Sequence, residues 1–135
     1  MKFINYRLNA WLSAHRGDFE SERRELEQLL AANPADLPAL ERLAQQARKD
    51  GRTARADELF RNKAEIERLR DRYEKLFDRK QPIRDAEEMA ALAKQLGRGF
   101  EARGFLTVAV SEEPDREDLR REVRLPWPGH ASWRR

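Results

Sequence analysis

Apolar side chains recur along this chain at spacings of three and four residues, the period of a helix with one buried face. Phe3, Tyr6, Leu8, Trp11 and Leu12 predict a first helix, which His15-Arg16-Gly17-Asp18 breaks, and Phe19, Leu26, Leu29 and Leu30 stripe a second. Asp18 is placed to cap that second helix. Asn33-Pro34 stops it, because the residue before proline is pushed out of the helical region and proline has no backbone donor. Asp36 is placed to cap a third helix carrying Leu37, Leu40, Leu43, Ala44 and Ala47, which turns at Lys49-Asp50-Gly51 into a fourth through Ala56, Leu59 and Phe60.

Gly17 and Gly51 stand 34 residues apart within the same succession of helix, basic turn and helix. The internal spacing returns in Met89, Ala90, Gly97, Ala102, Leu106, Ala109 and Pro114, with 17 residues from Gly97 to Pro114 as from Gly17 to Pro34. Gly51 and Gly97 are 46 residues apart, so the middle unit holds 12 residues beyond one period. The excess lies in 53–80, a stretch without Gly or Pro that predicts one long helix. Leu59, Ile66 and Tyr73 recur there every seven residues, as do Leu69 and Leu76. That stripe either packs on the third unit or makes a coiled-coil contact with another chain.

Leu40, Leu43, Ala44, Gly51, Ala56 and Phe60, following Pro34, resemble the tetratricopeptide repeat (TPR) signature. The resemblance implies an all-α, TPR-like α-solenoid of about three helical hairpins over 1–114, with an extended central helix. In it Ala44 and Ala56 mark a tight helix crossing that Phe60 plugs. A 34-residue helical unit cannot bury its apolar face alone and stacks on its neighbours. The first unit departs from the signature, with Glu22 where a small residue is expected, and reads as a degenerate cap at the solenoid's end. In the third unit the glycine-rich run 96–105 predicts a distorted start to the second helix. The long helix, glycine-rich turn and closing proline also resemble TPR segments of large bacterial proteins with a separate propeller domain, which would make this chain a fragment or a free-standing relative. Beyond Pro114, residues 115–125 predict a short charged helix capped by Asp115, docking through Leu119, Val123 and Leu125. Residues 126–135 hold too many helix breakers and read as an extended tail. Its Trp127 and Trp133 either fold back on the helices or anchor in another subunit, since aromatic rings supply interface area at small entropic cost.

Composition narrows the function. Of 135 residues 39% are charged, which needs a large solvated surface, and the apolar set is mostly Leu and Ala, so no strand is expected. Zero cysteines exclude disulfides and thiolate metal sites. No zincin or P-loop motif occurs, and Gly97-Arg98-Gly99 follows a helix where a dinucleotide loop needs a strand. His15 and His130 stand in a turn and in the tail. No catalytic residue, cofactor or metal site is therefore expected. The carboxylates pair along helices instead, as Arg61 with Glu65 and Asp71 with Lys75 are spaced to do. A net charge of +3 spread over alternating Arg and Glu reads as a salt-bridged surface more than a polynucleotide site. Without a secretory leader or an apolar run of membrane length, the chain reads as soluble, not inserted in a membrane and cytoplasmic by default.

In the TPR family the first helix of each hairpin lines a concave face. The resemblance therefore implies a partner-binding groove with Arg7 and Trp11 from the first unit, Arg48 and Lys49 from the second and Lys94 from the third. Arg7, Arg48, Lys49 and Lys94 make a basic strip suited to an acidic or C-terminal peptide, diluted by Glu41 and Glu87. The expected function is a non-catalytic scaffold or accessory subunit that docks a protein partner through this surface and the tail. The alternative is a basic helical nucleic-acid-associated protein using the arginine-rich segments 68–84 and 116–135, whose binding would fall steeply with salt.

Overall fold

Side-chain oxygens start each of the first three helices. The computed structural model describes residues 5–125, and these form α1 (Tyr6–His15), α2 (Phe19–Ala32), α3 (Leu37–Lys49), α4 (Thr53–Arg79), α5 (Pro82–Gln95), α6 (Gly99–Glu112) and α7 (Glu117–Arg124), with no strand among the described residues. Asn5 Oδ1 accepts from the Leu8 N–H at 3.0 Å, Asp18 Oδ1 from Ser21 at 3.1 Å and Asp36 Oδ1 from Ala39 at 3.0 Å. Each bond occupies a backbone donor that has no partner inside its helix. Pro82 opens α5, where its missing N–H costs nothing.

The same backbone turn ends α1, α3 and α5. Gly17, Gly51 and Gly97 have φ of 72°, 77° and 73°. The residue after each sends its N–H back five positions, Asp18 to Ser13 at 2.9 Å, Arg52 to Ala47 at 2.8 Å and Arg98 to Ala93 at 2.8 Å. Only glycine takes this left-handed position without a Cβ penalty, so the three glycines are where the chain reverses. The proline-containing links after α2 and α6 also match each other, with Asp36 N–H on the Asn33 carbonyl at 3.2 Å and Arg116 N–H on the Glu113 carbonyl at 3.1 Å. The α4–α5 link is shorter and uses Lys80, at φ 55°.

The helices group into two compact units, Met1–Ile66 and Glu67–Arg135, and α4 runs from one into the other. In the first unit α1 packs on α2 and α2 on α3, around Ala10, Leu26, Leu40, Leu43, Ala44 and Leu59. Ala56 is shielded as well, at 1% exposure. Glu22 is buried although charged, because Arg42 of α3 holds its carboxylate through Nε and, at 3.2 Å, through Nη2. The position where a small residue was expected thus carries a buried ion pair.

In the second unit α5 packs on α6 and α6 on α7, around Tyr73, Leu76, Met89, Ala93, Ala102 and Leu106. Leu59 and Ile66 belong to the first core, and Leu69, Tyr73 and Leu76 to the second, so the seven-residue stripe of α4 is spent within the chain. The expected distortion at 96–105 is absent, and α6 runs unbroken from Gly99. Asp115 does not cap α7; Arg116 takes the cap position with no side-chain bond to the backbone. Arg116 instead bridges Glu87 of α5 at 3.0 Å and Asp118 of α7 at 2.9 Å. Leu119 and Val123 dock α7, while Leu125 stays 49% exposed. Phe3 and the tail residues Trp127 and Trp133 lie outside the described residues.

Candidate functional site

A concavity of the second unit lies between α4 and α6. Its polar end, a cleft of about 480 Å³, is lined by Tyr73, Glu74, Phe77 and Asp78 of α4, by Arg98, and by Glu101 and Phe105 of α6. Phe77, Asp78 and Phe105 also line an adjoining apolar cavity of about 430 Å³ with Leu76, Pro82 and Met89. The two therefore form one groove, polar at one end and apolar at the other, with Phe77 and Asp78 at the division.

The polar end is braced from below. The Tyr73 hydroxyl donates to the Glu101 carboxylate, the Tyr73 and Phe105 rings meet edge to face at 6.3 Å, and the Arg98 guanidinium lies 5.0 Å over the Tyr73 ring. Arg98 also approaches Glu101 at 3.7 Å. Burial, and then the hydrogen bond to Glu101, push the Tyr73 phenol up to about 12, so at neutral pH it is a fixed donor. Phe77 is 65% exposed at the rim, a large apolar side chain without cover in the described structure. An apolar rim beside fixed donors and charges can seat an apolar group and orient it.

A second concavity, about 510 Å³, lies between α2 and α3 of the first unit, lined by Phe19, Arg23, Arg42, Gln45, Gln46 and Lys49 among others. Both amide atoms of the buried Gln46 lack a hydrogen-bond partner among the described residues.

The residues expected in the groove are placed as follows. Arg7 is tied to Asp36, the buried cap of α3. Arg48 lies over the Phe60 ring at 4.7 Å, and the neighbouring Lys49 over the Phe19 ring at 5.5 Å. Asp36 precedes α3 and Arg48 sits in its last turn, so about 18 Å of helix separates Arg7's anchor from the other two cations. Trp11 is 55% exposed and stacks on His15, ring centroids 3.9 Å apart. Lys94, in the second unit, pairs with Glu122 at 3.3 Å. Arg48 and Lys49 are brought together, Arg7 stands apart from them, and each cation faces a carboxylate or a ring. Trp127 and Trp133 lie outside the described residues.

The α4–α6 groove was missed by the sequence reading. Its signal was the pair Leu76-Phe77, two adjacent apolar residues in a charged stretch, of which the helical stripe uses only one. No helix among the described residues is long and apolar enough to cross a membrane, and no group of three or more His, Asp or Glu side chains there is placed to hold a metal ion. No protein-family model matches the chain, and a search of curated proteins finds no match.

Proposed function

We propose that this chain is a TPR-like helical-repeat scaffold or accessory subunit that docks a protein partner through its helical surface and the segment carrying Trp127 and Trp133. The observation that carries the reading is the α4–α6 groove, which sets the exposed Phe77 beside Phe105 and Met89 and next to the charged Asp78. Apolar anchors within a polar rim are the composition of protein-binding surfaces. The repeat assignment draws support from the three matching turns at Gly17, Gly51 and Gly97 and from the shielded Ala44 and Ala56.

The test is affinity capture from native cells with the intact chain and with a version ending at Leu125, washed at low and high salt. A protein retained at high salt is the expected outcome. Recovery of free monomer alone, or of nucleic acid that salt removes, overturns the proposal.

A further inference from the structure

We infer that the α4–α6 groove takes a partner segment in which an aromatic or leucine anchor is followed directly by arginine or lysine. The inference rests on the protein-docking reading above and names the chemistry of the partner. Its apolar end offers the exposed Phe77 and the half-buried Phe105 above a floor formed by the buried Met89. Its polar end sets three carboxylates, Glu74, Asp78 and Glu101, against the single guanidinium of Arg98.

That guanidinium is already committed, lying over the Tyr73 ring and 3.7 Å from Glu101, so it is poorly placed to draw an anion. Glu74 has only a 4.0 Å approach to Arg70. Asp78 is exposed and lines both ends of the groove. With Arg98 and Glu101 facing each other, Glu74 and Asp78 leave the polar end negative, while Lys80 lines the apolar end and the whole chain carries +3. Phe77 and Asp78 are consecutive, so the apolar seat and the carboxylate lie within one residue of each other. An anchor with a cation immediately after it matches both, and an acidic segment is repelled at the same place.

The experiment uses two labelled peptides, acetyl-Gly-Ser-Phe-Arg-Arg amide, a sequence that does not occur in this chain, and the same peptide with Glu-Glu in place of Arg-Arg. Each is titrated into the full chain and into the chain ending at Leu125. Binding is read by fluorescence anisotropy and by the methyl resonance of Met89, one of only two methionines. The arginine peptide is expected to shift the Met89 methyl and to bind about tenfold more tightly than the glutamate peptide. Phe77→Ala and Asp78→Lys, both at exposed positions, should each weaken it about tenfold with the melting temperature unchanged.

Equal affinity for the two peptides, or indifference to both substitutions, overturns the inference. So does a single-stranded oligonucleotide that moves the Met89 methyl in place of the peptide. Binding only to the chain ending at Leu125 also overturns it, since the occupant would then be residues 126–135 themselves. A partner captured from cells whose retention ignores Phe77→Ala and Asp78→Lys leaves the scaffold reading standing and sinks this one. Capture of free monomer alone sinks the scaffold reading, whatever the peptides do.

Discussion

Arg42 reaches from α3 to both carboxylate oxygens of Glu22 in α2, and Glu22 is only 2% exposed. In the second unit Arg72 of α4 and Glu88 of α5 make a bidentate pair at 2.8 and 3.2 Å with the charges exchanged. Arg42 and Glu88 each stand nine residues before a turn glycine, so the same helix-to-helix link is written twice with opposite polarity. The two differ in burial, since both side chains of the second pair are about half exposed. Arg42→Ala, which strands a buried carboxylate, should cost about 1.5 to 3 kcal/mol. Arg72→Ala should leave the melting temperature nearly unchanged, because a solvated pair exchanges its partner for water. Replacing Glu22 and Arg42 together by leucine should recover most of the loss. Denaturant titrations of the four proteins check this ordering.

Ala56 is 1% exposed near the start of α4. Ala56→Leu should overpack the first unit and cost about 1 to 3 kcal/mol. Arg70→Ala, on a partly exposed side chain with ion-pair contacts no closer than 3.9 Å, should change stability by about half a kcal/mol. Thermal melts that gave the two variants the same midpoint as the parent would contradict the burial of Ala56.

What the sequence made legible was local. Caps such as Asp18 and Asp36, the left-handed glycines and the stop at Pro34 act within a few residues, and the long helix over 53–79 followed from the absence of breakers. What it left dark depended on distant partners. Glu22 stood out as a departure from the repeat, but periodicity does not reveal an arginine 20 residues on that neutralises it. Phe77 lies one residue off the stripe, so stripe counting passes over it and over the groove it rims. Asp115 was a reasonable cap by residue type, yet Arg116 takes the position, and its guanidinium bridges the distant Glu87 and the nearby Asp118.

Gln46 poses a separate test. Its amide is buried in α3 with neither Oε1 nor Nε2 paired among the described residues, and an unpaired buried amide costs more than an apolar group of the same shape. Gln46→Leu should therefore raise stability by about 1 kcal/mol. A loss of stability on this substitution would mean that the amide is hydrated in solution.

Tyr73 supplies the pH dependence. Its phenol is buried and donates to Glu101, which together hold it up to about 12, against about 10 for a free tyrosine. A folded-state value above the unfolded one means that the stabilising contribution is complete below about pH 10 and is lost as the pH rises from there toward 12. The chain has one other tyrosine, Tyr6, so the absorbance change of phenolate formation has two components. The component that Tyr73→Phe removes should titrate near pH 12. The same substitution should cost roughly 0.5 to 1.5 kcal/mol at neutral pH by deleting the bond to Glu101, and the variant should lose less stability than the parent between pH 10 and 12. A Tyr73 component titrating near pH 10 would show that the ring is open to water and that the polar end of the groove is not braced as described.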